Sequence, residues 1–168
     1  MIVVVNDANI LIDLIKLDLL PEFFGLGYEY HTSDFVLAVE LYDDQQAILD
    51  QYVRQGLLKV KESTSEEVIL ISKLNQEQAK LSFADCSVFL LAVSLKAILI
   101  TSDNRLRKYS QIQDVEVHGH LWVLDRMVES GLLEPKRAIL KLTELETVNA
   151  KLSLPTSECE KRKKDWGQ

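Results

Sequence analysis

Two runs, "IVVVND" at residues 2–7 and "AILITSD" at residues 97–103, consist of apolar, mostly β-branched residues and end in a carboxylate. Neither alternates apolar with polar residues. Each therefore reads as a strand covered on both faces, the environment of a parallel sheet clad by helices. Between and after them, helical and strand patterns take turns. Asp7 to about Lys16 carries Ile10, Leu11, Leu14 and Ile15 on one helical side, and "LLPEFF" suits a short helix before Gly25. "YEYHTS" and "LLKVKE" suit strands, and "VEVHG" a last short one. Ser33 or Asp34 is placed to cap a helix through "FVLAVELY". Further helices are predicted over Asp43–Arg54, from Thr64 to about Leu74, through "LSFADCSVFLLAVSL", after Asp103, and over about 120–130 and 135–151. The fold class that follows is α/β: a three-layer α/β/α arrangement with a central, mostly parallel sheet.

A chain of 168 residues with 47% hydrophobic content makes one ordinary domain without disulfide staples. Residues 1–151 hold the periodic elements, while 152–168 read as a polar, charged tail. Cys86 and Cys159 show no zinc spacing and suit free thiols of a reducing compartment. The N-terminus lacks a signal-peptide pattern. The longest apolar run is interrupted by Lys96, so it reads as helix then strand rather than a membrane span. The expected location is cytoplasmic. A formal net charge of −7 argues against nucleic-acid binding by a broad basic surface. It leaves open a nuclease whose acids hold divalent cations facing the phosphate.

In a parallel sheet, ligands bind beyond the C-terminal ends of the strands. If the two apolar strands are both central, Asp7 and Asp103 share one rim. Glu40 is the only charge in "FVLAVELY", and Asp85 opens the most apolar helix, three residues after Ser82. Each acid singly has a plainer role: Asp7 and Asp103 as helix caps, Asp85 with Ser82 as a capping box, Glu40 on a solvated stripe. Converging carboxylates repel, so a fold that gathers four of them does so for a cation, and at least one carboxyl should titrate high. Oxygen ligands favour Mg2+ or Mn2+.

The order Asp7, Glu40, Asp85, Asp103 resembles the acidic quartet of PIN domains. "VVVNDANILIDL" is similar to the family's first strand and helix, "FVLAVELY" to its glutamate helix, and "SFADCSVFLLA" and "AILITSDNRLRK" to its third and fourth motifs. The resemblance covers roughly residues 2–120. "GHLWVLDRMVESGLL" is similar to a later segment of PIN proteins of bacterial toxin–antitoxin type, whose best-known members are VapC-type endoribonucleases. Asn9 stands where the family usually has Ser or Thr, and it keeps a donor and an acceptor.

The resemblance implies a PIN-like fold and a Mg2+- or Mn2+-dependent endoribonuclease cutting RNA phosphodiester bonds, as the toxin of a type II toxin–antitoxin module. Catalytic and metal-holding residues would be Asp7, Glu40, Asp85 and Asp103. Asn9, Thr101, Ser102, Asn104 and Arg105 would support them or the substrate, with Arg107 and Lys108 on the RNA backbone. RNA, an antitoxin protein and a second copy of the chain are the implied partners. The alternative is a catalytically silent PIN-like domain that binds nucleic acid or protein. A receiver-like phosphate domain fits less well, lacking an acidic pair after the first strand and a lysine ending a later one. Asp43 is a further candidate acid, though a solvated helix end suits it better. His118 and His120 read as turn residues, Trp122 as core or interface. The stripe Ile139, Leu142, Leu145 and Leu152 suits core or an interface.

Overall fold

The computed structural model describes residues 1–168. Its five strands are β1 (Val3–Asn6), β2 (Glu29–Ser33), β3 (Leu58–Lys61), β4 (Ile98–Ile100) and β5 (Val117–His118). All pair in parallel, in the order β3-β2-β1-β4-β5. The two strands singled out by their lack of alternation are the central neighbours, with Asn6 beside Ile100. Val4 and Ile100 point into one apolar cluster, Val5 and Leu99 into another on the opposite face. That is why neither strand tolerates a polar side chain at alternate positions.

The first cluster is covered by α1 (Ala8–Lys16), α2 (Leu20–Gly25), α3 (Asp43–Arg54), α7 (His120–Glu129) and α8 (Pro135–Val148). The second is covered by α4 (Ser65–Glu77), α5 (Phe83–Leu95) and α6 (Asn104–Ile112). Helix α5 is apolar around most of its circumference because it lies on β1, β2 and β4 and is itself covered by α4 and α6. The result is a three-layer α/β/α fold. The chain runs from β1 outward to β3, then returns to β4 on the other side of β1. The topological switch point thus lies between β1 and β4, where Asp7 and Asp103 follow the strand ends.

Two elements differ from the sequence expectation. The segment carrying Glu40 starts as a helical turn at Asp34 but winds as a π-helix over Val36–Glu40, becoming extended at Leu41. The wider turn is pinned at its start, where the Val36 N–H donates to Ser33 Oγ. Residues 156–166, polar enough to read as tail, form α9 (Thr156–Trp166). It packs on α8, burying Cys159 and resting Trp166 on the first cluster, where Leu152 and Leu154 of the segment before it also lie. Arg162 fixes it by a two-pronged pair with Asp125 of α7, Nε to Oδ1 at 2.9 Å and Nη2 to Oδ2 at 2.7 Å. A thin apolar stripe on a mostly charged helix escapes a reading by composition. The stripe of α8 is likewise spent inside the chain, with Leu142 and Leu145 fully buried. No helix is long and apolar enough to cross a membrane.

Deleting residues 152–168 should therefore cost roughly 3 kcal/mol, about 10 °C of melting temperature for a domain of this size. Scanning fluorimetry of the truncated chain checks this; an unchanged midpoint would make the segment a solvated tail.

Candidate metal centre

Asp7 ends the climb of β1 and caps α1. Its backbone N–H donates to the Ile100 carbonyl at 2.9 Å, so the main chain itself ties it to the end of β4. Its Oδ1 accepts from the Ala8 N–H at 2.7 Å, and its Oδ2 accepts from the Thr101 hydroxyl at 2.7 Å. Thr101, fully buried, also accepts the Asp103 N–H at 3.1 Å and so bridges the two acids. Asp103 caps α6, with Oδ1 accepting from the Leu106 N–H at 2.9 Å. Asp85 and Ser82 form a capping box at α5: the Ser82 N–H donates to Asp85 Oδ2 at 2.8 Å, and the Asp85 N–H to Ser82 Oγ at 3.0 Å.

The plain roles thus hold for three acids, and each of these caps uses one oxygen of its carboxylate. They also bring the N-termini of α1, α5 and α6 to one place, where the positive ends of the helix dipoles offset part of the carboxylate charge. Glu40, exposed, closes the π-helical turn on the same side. Asp7, Glu40, Asp85 and Asp103 line a single cleft of about 270 Å³ with Asn9, Ser82, Lys80 and Arg105. Asp43 stays outside it, exposed in the first turn of α3. Ser102 and Asn104 face a neighbouring cavity instead, as do Arg107 and Lys108. Thr101 lies beneath the floor. Lys80 was not singled out in the sequence: it is one of many surface lysines, and only the fold carries it to the rim.

A hydrogen-bond chain joins the two acids that do not follow strands. The Val36 N–H donates to Ser33 Oγ at 3.2 Å, Ser33 Oγ lies 2.7 Å from Ser87 Oγ, and Ser87 donates to the Ala84 carbonyl at 2.6 Å. It locks the start of the π-helical turn, which ends in Glu40, to the first turns of α5, which hold Asp85.

Electrostatics reports the convergence. Burial pushes the Asp7 carboxyl up to about 7, and the charges of Asp85 and Asp103 push the same way against its hydrogen bonds from Thr101 and Ala8. Asp85 is also raised, first by burial, with Asp103 and Glu40 adding to it. The donors are all oxygens, as Mg2+ or Mn2+ requires. They do not close into a shell: no three His, Cys, Asp or Glu side chains are grouped closely enough to hold an ion by themselves. Mg2+ retains several waters and takes only one or two carboxylates directly, so an open ring of acids fits it.

A family model described as PIN domain matches residues 3–162. No curated protein matches the chain.

Asp7 sets a pH dependence of stability. With its folded pKa above the unfolded value, the native state binds the extra proton, and this contribution to stability is lost as pH rises from roughly 4 through about 7. At pH 8 the ionised carboxylate opposes folding by a few kcal/mol, since each pKa unit is about 1.4 kcal/mol. Replacing it by an amide relieves that at the cost of about one hydrogen bond, near 1 kcal/mol. In chelator at pH 8, Asp7→Asn should melt above wild type, with the gap closing as pH falls toward 4. A mutant that melts below wild type at pH 8 would mean the acid acts only as a cap.

Proposed function

The chain belongs to the PIN domain family, and from that premise we propose that it is a Mg2+- or Mn2+-dependent endoribonuclease acting at the cleft of Asp7, Glu40, Asp85 and Asp103. PIN domains are generally nucleases that use divalent ions on a nucleic-acid substrate. The observation that carries the reading is that four acids far apart in sequence line one cleft, at the switch point of the sheet. Asp7, Asp85 and Asp103, with Glu40 at the edge, would hold the cation, partly through water. Such a cation supplies an activated water and neutralises charge on the phosphate.

The chain's own groups do the rest. Thr101 ties the Asp7 carboxylate to the main chain of Asp103. Lys80 and Arg105 at the rim draw a phosphate toward an otherwise negative floor. Asn9 is placed to donate to a carboxylate or a phosphate oxygen. As setting we propose the toxin of a type II toxin–antitoxin pair, with an antitoxin and a second copy of the chain as partners. Exposed Ile69, Leu70 and Val93 on α4 and α5, away from the cleft, supply apolar surface for such contacts. Copurification with the product of a small upstream reading frame tests that part separately.

On a mixed RNA panel, wild-type protein should cut with Mn2+ and stop with chelator. Asp7→Asn and Asp103→Asn should each lower the rate by orders of magnitude with unchanged circular dichroism. Mn2+ should also raise the wild-type melting temperature more than that of Asp103→Asn, because only ligand bound to the native state stabilises it. Wild-type cutting by both mutants, or no cutting and no Mn2+ shift by wild type, would leave the silent binding domain as the reading.

A further inference from the structure

The acid cleft does not end at its rim. A second cavity of about 650 Å³ shares Asn9, Asp103 and Arg105 with it. A third, of about 500 Å³, lies between α6, α7 and α9 and shares Ser102, Asn104, Leu152 and Ser153 with the second. The three are one groove. Along it α6 presents Asn104, Arg107, Lys108 and Gln111, the i, i+3, i+4, i+7 stripe of a single helical face. This polar stripe is the side of α6 opposite buried Leu106 and Ser110.

Beyond the acid cleft, whose Asp103 also borders the second cavity, the charges that are free of ion pairs are positive. Asp125 and Glu158 at the third cavity are both tied to Arg162. Arg105, Arg107, Lys108 and Lys151 line the second and third cavities and form no ion pair. Gly119 makes room for Arg107: a Cβ there would stand 2.8 Å from its Nη1. At the rim the rings of His118 and Trp122 lie parallel, 4.6 Å apart at 7°.

One buried group in the third cavity lacks a partner. His120, 4% exposed, pairs through Nε2 with Asp13 Oδ2 at 2.8 Å, an oxygen that also accepts from Asn149. A carboxylate only accepts, so Nε2 carries the hydrogen of that pair and Nδ1 is the ring atom left over. That Nδ1 is buried and has no hydrogen-bond partner. Such an atom calls for a hydrogen-bond partner, and a ribose hydroxyl or exocyclic amine is one.

We propose that this groove carries the single-stranded RNA flanking the cut, with one nucleotide seated in the third cavity. Its phosphate lies on Arg107 and Lys108, its base against the His118–Trp122 pair, and a hydroxyl or amine reaches His120 Nδ1. Stacking on rings combined with phosphate contacts is the general mode of single-strand binding. The inference rests on the acid cleft being the cutting site, and it is tested by binding rather than cutting.

The probe is a short fluorescein-labelled single-stranded RNA, titrated by anisotropy against full-length Asp7→Asn protein. Adding Lys108→Glu and Lys151→Glu, both at exposed positions, should weaken binding at least about ten-fold and lower the salt slope by about two. The same charge change at exposed Lys73 and Lys136, outside the groove, should do much less. Gly119→Ala, which keeps every charge but displaces Arg107, should also weaken binding. Equal effects of the groove and control pairs would overturn the proposal. So would AMP or UMP competing as well as the oligomer, which would make the cavity a site for free nucleotide. If wild type cuts RNA yet the groove variants bind like their parent, the groove fails and the cutting site stands. If wild type cuts nothing while the groove variants lose binding, the reverse holds.

Discussion

The arrangement depends on one buried carboxylate. Asp7 sits where β1 and β4 part, held by the Ile100 carbonyl through its own N–H and by Ala8 and Thr101 through its side chain. Burial makes its charge costly, and the nearby acids make it costlier. A fold tuned only for stability would place an amide or a hydroxyl there, which would cap α1 as well without the charge. The cap reading and the metal reading of Asp7, Asp85 and Asp103 are therefore not rivals. Capping is how the chain fixes one oxygen of each carboxylate, and the helix dipoles lower the penalty of collecting them.

Glu40 is brought in by a different device. Strand ends deliver Asp7 and Asp103, and a helix start delivers Asp85, but Glu40 closes a π-helical turn. Single π turns are uncommon and frequent at functional sites, because the extra residue rotates the side chains after it relative to an α-helix. The Ser33–Ser87 bond anchors the start of that turn to α5, the helix that carries Asp85. Both hydroxyls are buried, where a hydrogen bond faces no competition from water.

The sheet was legible because its two central strands are clad on both faces, which removes the polar alternation a one-sided strand would show. Asp7 and Asp103 were legible for the same reason: a charge directly after such a strand must lie on its C-terminal rim. Glu40 was visible as a lone charge in an apolar run, but the π winding was not, because the start of the turn is held by a contact of Ser33 with Ser87, 54 residues away. Lys80 was invisible, having no local pattern. Helix α9 was hidden because its apolar Cys159 and Trp166 are too few among charges to shift a composition count. His120 read as a turn residue, whereas it opens α7 in a buried position, paired with Asp13 of α1, which also accepts from Asn149 just past α8.

An acidic chain and the proposed RNA substrate are reconciled by where the pairing occurs. Net charge is −7, yet charge acts on a ligand through the local field rather than the sum, since screening removes contributions beyond about 8–10 Å. Several basic groups away from the groove are held by neighbouring carboxylates, as Lys59 is by Glu29, Lys61 by Glu67, Arg126 by Glu129 and Arg137 by Glu22. Those lining the groove form no such pairs, while its acids at the far end, Asp125 and Glu158, both pair with Arg162. A phosphate chain following the unpaired cations is led to the one place where carboxylates outnumber them. Without a cation there the strand would be repelled at its point of entry to the cleft. On the proposed reading, one geometry accounts for both the divalent ion and the path toward it.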